Sequence, residues 1–260
     1  MFSLDIVDST QTYLLENMLE KAKEGWLSGS MDVFAASANH QTMGRGKADR
    51  KWFSSTSHKC FALSILFPFP TTLVSRSPLI TQLLALSAVE AIDGLVGAPH
   101  VRLKWPNDII IEGRKVGGIL AEMYPIEEDA GLHAVIIGIG LNLDIPSEIL
   151  ESNITGEGKW LPGAIRQLTD VDIDRTVLRD KILELFVPKV SDFLRSSGTL
   201  TPEGLNSISS RQFLFGQTIS FRDGPVIHRG IHRGISDTGC LVLDCFGVEK
   251  TLNSGEIIPS

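Results

Sequence analysis

Cysteine is scarce in this 260-residue chain: Cys60, Cys240 and Cys245 are the three present. They are too few and too scattered for a disulfide framework, and the lack of any C-x-x-C pair argues against a structural zinc site. Positive charge is also in deficit, with 24 Lys and Arg against 31 Asp and Glu, a net charge of −7 and an isoelectric point near 5.4. Nucleic-acid binding requires Lys and Arg to neutralise phosphates, so DNA or RNA is not the expected partner, although a local basic patch can still hold a small anion. The N-terminus carries Asp5 and Asp8 where a leader has basic residues, and no uninterrupted apolar run reaches about 18 residues. The expectation is a soluble, cytoplasmic protein with no membrane partner.

What is present is ordinary globular composition: 43% hydrophobic residues, 24 Gly and 12 Pro. This excludes disordered, collagenous and coiled-coil chains. A chain of this length buries roughly 70–75% of its unfolded surface and needs no disulfide or metal to hold it.

Patterning predicts a strand over 2–7, then an N-cap at Asp8-Ser9-Thr10 and a helix to about Lys23, stopped at Gly25. Strands are expected over 33–37 and 60–67, the latter ended by Pro68 and Pro70. A long helix follows over 78–96, and then strands over 101–104, 109–112, 117–123 and 134–143. Consecutive strands with no helix between them predict an α+β fold with a mixed, largely antiparallel sheet flanked by helices. A helix over 174–194 is expected to kink or split at Pro188. Beyond about Leu205, short strands at 213–221, 225–235, 240–245 and 248–252 are spaced by Gly and Asp turns, as in a small β-barrel. The expected domains are 1–205 and 206–260. The repeat His228-Arg229-Gly230-Ile231, His232-Arg233-Gly234-Ile235 would place both His on one strand face. With no third ligand in view, it is taken as a solvated strand edge, not a zinc or anion site.

Four stretches can carry chemistry. In Gln41-Thr42-Met43-Gly44-Arg45-Gly46-Lys47-Ala48-Asp49-Arg50-Lys51-Trp52, the glycines let backbone N–H groups turn on an anion while Arg45, Lys47 and Arg50 add charge. Trp52 offers a stacking face. A solvated basic loop is the bland alternative, and the spacing is not that of a P-loop. Lys104-Trp105-Pro106-Asn107-Asp108 follows a strand, where functional residues collect; a structural Asp turn reads equally well. Lys115 leads into Val116-Gly117-Gly118-Ile119-Leu120-Ala121-Glu122, whose glycines permit close approach of a ligand. Gly138-Ile139-Gly140-Leu141-Asn142-Leu143 is a weaker signal, because β-bulges also use Gly-x-Gly.

Together with Asp8-Ser9-Thr10, these segments stand in the order and approximate spacing of biotin protein ligases, and the resemblance spans nearly the whole chain. The C-terminal Phe215-Gly216, Gly239-Cys240-Leu241 and Ser254-Gly255-Glu256-Ile257 resemble that family's small SH3-like domain. The resemblance implies a two-step reaction: biotin's carboxylate attacks the α-phosphate of ATP to give biotinyl-AMP and pyrophosphate. A lysine of a biotin carboxyl carrier domain, as in acetyl-CoA carboxylase or a related carboxylase, then displaces AMP. It implies Lys115, Arg45 and Asp108 as catalytic, with Asp108 taking the incoming amine's proton. Biotin would be held by Ser9, Thr10, Gln11, Gln41, Gly44, Arg45, Gly46, Lys47, Lys115, Gly118 and Gly140. ATP would be held by Arg45, Lys47, Arg50, Trp52, Asn107, Lys115 and Asn142, with Mg²⁺ on the phosphates.

The chain departs from the family at Lys47, where Arg is usual, at Asp49, where Gly is usual, and at Gln11, where Asn is usual. Lysine lacks the planar fork of arginine, so faster loss of the adenylate is expected. The strand at Phe2 leaves no room for a winged-helix DNA-binding domain, which points to a ligase that does not regulate transcription. A weak homodimer through an exposed sheet edge is open. Two other readings stand beside this one: a lipoate or octanoate ligase-like enzyme, whose glycine-triplet motif is absent here, and a catalytically weak biotin- or carrier-binding module.

Overall fold

Two apolar stripes and one run of small residues determine the architecture. The computed structural model describes residues 1–47, 50–97, 101–126, 131–153 and 160–258. Seven strands, β1 (Phe2–Val7), β2 (Phe34–Gln41), β3 (Lys59–Pro70), β4 (Val101–Lys104), β5 (Asp108–Ile111), β6 (Arg114–Pro125) and β7 (Leu132–Asp144), form one sheet in the order β1-β2-β3-β7-β6-β5-β4. Every neighbouring pair is antiparallel except the parallel β1–β2 pair. The expected α+β sheet is therefore observed.

Strand alternation assigns the faces. The odd-numbered Phe61, Leu63, Ile65, Phe67 and Phe69 of β3, with Val135, Ile137, Ile139, Leu141 and Leu143 of β7, pack against α2 (Pro78–Val96) and α5 (Arg175–Arg195). On the opposite face, Leu66, Ala134 and Ile136 pack against Leu14, Met18, Ala22 and Trp26 of α1 (Thr10–Leu27). Beyond α1 the same face carries a run of small residues, Ala62 and Ser64 on β3 and Gly138 and Gly140 on β7, and this shallow floor is where the sheet opens to solvent.

Helix α1 runs past Gly25 to Leu27, because Trp26 is buried against the sheet. Helix α2 matches its predicted bounds and ends at Gly97, whose φ of 81° is the left-handed cap glycine adopts freely. With a mean hydropathy of 1.6 over its best window, α2 is long and apolar enough to cross a membrane, a feature the interruptions at Gln82, Glu90 and Asp93 hid from the run count; here the sheet and α5 bury most of it. Strand β3 continues through Pro68 and Pro70. Thr71 donates to Gly131, so alternation turns the proline nitrogens toward β2, whose pairing stops at Phe34–Leu66. No ladder hydrogen bond is lost there. Helix α5 contains Pro188 without splitting, and Asp174 caps it by accepting from the Thr176 and Val177 N–H groups.

After short helices α3 (Ser147–Ser152) and α4 (Ile165–Thr169) and the later α6 (Pro202–Ser210), a second antiparallel sheet is formed. It comprises β8 (Thr218–Asp223), β9 (Val226–Ile235), β10 (Leu241–Cys245), β11 (Val248–Leu252) and β12 (Glu256–Ile258), in the order β11-β10-β9-β8-β12. Among the described residues β11 and β12 are its two edges, with no pairing that closes a barrel. Its Ile219, Phe221, Leu241 and Leu243 join the core formed by α2 and β4, so the two sheets share one apolar interior. Residue 206, the expected boundary, falls within α6. The His-Arg-Gly-Ile repeat lies on β9, a central strand, which overturns its reading as a solvated edge. His232 is fully buried with both ring nitrogens unpartnered, while His228 lies near Lys250 at the surface.

Candidate active site

A cleft of about 240 Å³ opens over the small-residue floor. Trp52 lies across that floor: a Cβ added at Gly140 would come within 2.6 Å of the indole, and one at Gly118 within 3.2 Å. Any side chain on Gly140 would therefore displace the ring. The cleft's end wall is the first turn of α1. Ser9 takes the extended N-cap conformation, but its side chain caps no helix N–H group. The Thr10 N–H donates to Gln41 Oε1 at 2.8 Å, the Thr10 hydroxyl lies 2.7 Å from the Ser64 hydroxyl, and Gln11 donates to the Leu120 carbonyl at 3.1 Å. Ser9, Thr10, Gln11 and Gln41 are all buried, so they form a pre-organised polar wall.

A β-bulge aims the key lysine. Ile109 pairs with Gly117 and Ile110 with Lys115, leaving Val116 as the extra residue on β6. Val116 sits in the core, and the Gly117 Cα faces Leu141 and Ile109. The bulge therefore returns Lys115 to the cleft face it would otherwise leave. Its ammonium lies 2.5 Å from Asp108 Oδ1 and 5.9 Å from the centre of the Trp52 ring. Lys104 meets the other carboxylate oxygen, Oδ2, at 2.8 Å. Burial alone would push the Asp108 carboxyl up, but Lys115 and Lys104 together hold it below the ordinary 3.8. Asp108 is thus a carboxylate clasped by two ammonium groups, which makes it a weak proton acceptor and runs against its expected role as base for the incoming amine.

The glycine-rich loop forms a short hairpin: Gly46 donates to the Arg50 carbonyl at 2.7 Å and Trp52 to that of Gly44 at 2.8 Å. Gly44 is the one expected biotin contact that does not line the cleft; its Cα sits where a Cβ would come within 2.6 Å of the Trp52 carbonyl, so it serves the hairpin. Arg45 lines the cleft but pairs at its rim with Glu122 and also meets Tyr124. Burial opposes its charge, but Glu122 and Tyr124 together more than offset this and raise the Arg45 pKa above the ordinary arginine value. Lys47 and Arg50 line the cleft, and Arg50 Nε donates to the Lys47 carbonyl at 3.0 Å. Asp49 lies outside the described residues.

Asn107 and Asn142, expected on the nucleotide side, line the cleft, but their amide nitrogens are committed to the carbonyls of Ile119 (2.7 Å) and Gly163 (3.0 Å). Each therefore presents its side-chain oxygen. Sequence reasoning missed Lys104, Ser64, Gly138, Trp160, Glu256 and Ile257 as lining residues. Lys104, Gly138 and Glu256 stand inside motifs already singled out, whereas Trp160 carries no sequence signal. Its Nε1 donates to the Ile257 carbonyl at 3.2 Å, its ring meets Phe213 edge-on, and the Lys104 ammonium lies 5.7 Å from its centre.

Residues 3–142 match the biotin/lipoate A/B protein ligase family, and residues 214–258 match the biotin protein ligase C-terminal domain. The chain belongs to this family. Among its relatives is the bifunctional ligase/repressor BirA of Bacillus spizizenii, 32% identical over 97% of this chain and 72% of the relative. The biotin–[acetyl-CoA-carboxylase] ligase of Paracoccus denitrificans is 31% identical over 84% of this chain and 85% of the relative. In structure the chain is similar to the biotin protein ligase of Aquifex aeolicus in complex with biotin and ATP, with a TM-score of 0.73 and 27% identity over 98% of this chain and 96% of that one. Family membership gives the clustering a chemical sense. The polar wall of α1 and the cationic group around Asp108 share one cleft, as a site joining a small neutral ring system to a polyanion requires.

Proposed function

We propose that the chain activates biotin with ATP to biotinyl-5′-AMP and transfers biotin to a lysine of a carboxylase carrier domain. The observation that carries this reading is the Lys104–Asp108–Lys115 cluster at the edge of a glycine-floored cleft whose far wall is polar and buried. Joining a carboxylate to a triphosphate brings two anions together, so the site must supply positive charge and hold the groups in line. Lys115 is the cation best placed for the carboxylate and α-phosphate, because the bulge aims it and Asp108 steadies it. Arg45, Lys47 and Arg50 add charge from the hairpin side. The hydroxyls of Ser9 and Thr10 and the amides of Gln11 and Gln41 suit a ureido head, which presents both donors and an acceptor. Gly118 and Gly46 allow the ligand close to backbone, and Gly140 makes room for the Trp52 ring that lies on it. Trp52 and Trp160 present flat faces for planar groups, and Asn107 and Asn142 present acceptor oxygens on the nucleotide side.

In this reading Asp108 orients Lys115 and Lys104, and the incoming amine loses its proton to another acceptor or to water. No group of three or more His, Cys, Asp or Glu side chains among the described residues could hold a metal ion. Mg²⁺ would enter with the phosphates, as part of the nucleotide substrate. Residues 1–205 then supply the catalysis, and the C-terminal part from 206 closes one side of the cleft through Glu256 and Ile257.

The test is mass spectrometry of the purified protein with ATP, Mg²⁺ and either biotin or lipoate, without a carrier. Biotinyl-AMP with biotin alone is the expected result, and Lys115→Ala is expected to abolish it. Lipoyl-AMP in its place would overturn the substrate assignment, and no adenylate with either acid would overturn the enzyme reading.

A further inference from the structure

Gln82 is an anomaly on α2. The helix is apolar around it, with Leu79, Leu83 and Leu86 buried, yet Gln82 is itself 2% exposed. A buried amide is costly unless its hydrogen bonds are met, and here they run in one direction. Gln212 Nε2 donates to Gln82 Oε1 at 2.9 Å, and Gln82 Nε2 donates to the carbonyl of Pro106 at 2.7 Å. Gln212 is also 2% exposed and is tied to β4 on both sides: Leu103 donates to the Arg211 carbonyl, and Phe213 donates to that of Leu103. Pro106 lies midway between Lys104 and Asp108, the two groups whose ion pair frames the cleft.

We propose that Gln82 is a positioning residue for adenylation. It transmits the placement of the C-terminal unit, through Gln212, to the turn that presents Lys104 and Asp108. The proposal rests on the adenylation reading above. Three features support it. The relay is the polar link from α2 to the turn, and it ends on a backbone carbonyl, where it sets the height of the turn over the sheet. The Trp105 indole nitrogen donates to the Gly239 carbonyl at 3.0 Å, so a second tether from the C-terminal unit reaches the same turn. The polar wall that would hold biotin lies on α1 and β2, on elements that Gln82 does not touch. Severing the relay should therefore disturb the reacting groups and leave biotin binding intact.

The experiment compares full-length wild type, Gln82→Met and Gln212→Met. Methionine keeps the length of glutamine and removes its hydrogen bonds. In biotinyl-AMP formation, Gln82→Met is expected to lower kcat about tenfold with KM for biotin within about twofold, because small displacements of reacting groups are costly in rate. Gln212→Met is expected to lower kcat about threefold, and the double variant to lose no more than Gln82→Met alone, as for residues in one chain. A merely structural role would lower the melting temperature and leave kcat of the folded protein unchanged, and that outcome overturns the proposal. Should Gln82→Met fail to fold, an unchanged kcat in Gln212→Met overturns it equally. Hydrogen exchange at amides 107–109 needs no substrate and is expected to speed up about tenfold in Gln82→Met through local opening. Unchanged exchange there refutes the positioning role even if wild type makes biotinyl-AMP. Faster exchange with no adenylate from wild type would refute the functional reading and leave the coupling of Gln82 to the turn standing.

Discussion

Asp108→Asn is the sharpest perturbation available to this cleft. The substitution keeps the volume and removes the charge that Lys104 and Lys115 share at 2.8 and 2.5 Å. Lys104 has a side chain only 5% exposed, so it is left as a buried ammonium without its counter-ion, whereas Lys115, at 31%, can turn to water. Removing one partner of a buried pair typically costs about 3–5 kcal/mol. At about 2–4 °C per kcal/mol for a chain of this size, the melting temperature should fall by about 6–20 °C. Biotinyl-AMP formation should fall further than stability alone explains, by about a hundredfold, because Lys115 loses the group that orients it. The acid side of the stability curve gives an independent check. The folded pKa of Asp108 lies below the ordinary 3.8. Its contribution is therefore present above 3.8 and is lost as pH falls through the lower folded value. Asp108→Asn should remove that part of the acid transition. Calorimetry across pH with a parallel adenylation assay measures all three quantities. A melting temperature within about 2 °C of wild type would show that the clasp does not bear on stability as argued.

Three further outcomes follow from other parts of the structure. His232 is buried, with its pKa lowered from 6.5 to about 4 by burial, against the weaker opposing pull of the Phe213, Gly234 and Leu214 carbonyls. Its unfolded form takes up a proton first, so stability should fall by about 3 kcal/mol as pH drops from 6.5 to 4; His232→Phe should flatten the melting temperature across that window, and an unaltered slope refutes the assignment. Gly140→Ala, whose Cβ would meet the Trp52 ring at 2.6 Å, should shift Trp52 fluorescence and weaken biotin binding at least tenfold more than Gly118→Ala, where the approach is 3.2 Å; calorimetric titration with biotin decides, and equal losses would count against the ring's seat on the floor. Lys47→Arg should slow escape of biotinyl-AMP several-fold by restoring a bidentate phosphate contact, read as adenylate retained on the protein after gel filtration; equal retention would sink the argument from the missing fork.

How far the sequence disclosed this site depends on which physical rule governs each residue. Strands β1 and β4 and helix α2 were predictable to the residue, because each is a run of one period closed by clear punctuation. The prolines at the end of β3 were misjudged, since their tolerance depends on where the neighbouring strand stops, a fact of pairing that local sequence does not encode. Likewise His232 became a core residue because β9 is central in its sheet, and edge or centre is settled only by strand order.

The site divides along the same line. Thr10, Gln11, Gln41, Lys115, Gly118 and Gly140 line the cleft, each on a strand or helix whose facing follows from period, and Ser9 joins them as the cap of α1. Even so, the facing of Lys115 depends on the unpaired Val116, and strict alternation without that bulge would send Lys115 to the core side. Trp160, Glu256 and Gln82 could not be reached in the same way. Trp160 and Glu256 approach the cleft only when the second sheet docks on α2 and β4. Gln82 has a purpose only once Gln212, 130 positions further along the chain, is its partner. The residues that line the floor and polar wall of the cleft are thus written locally, whereas those that hold them in register are written in tertiary contacts. Substitutions of the second kind are therefore where sequence-based judgement of this chain would most often be wrong: a change at Gln82 reads as a harmless improvement to an apolar helix, yet it severs the link to the turn that carries Lys104 and Asp108.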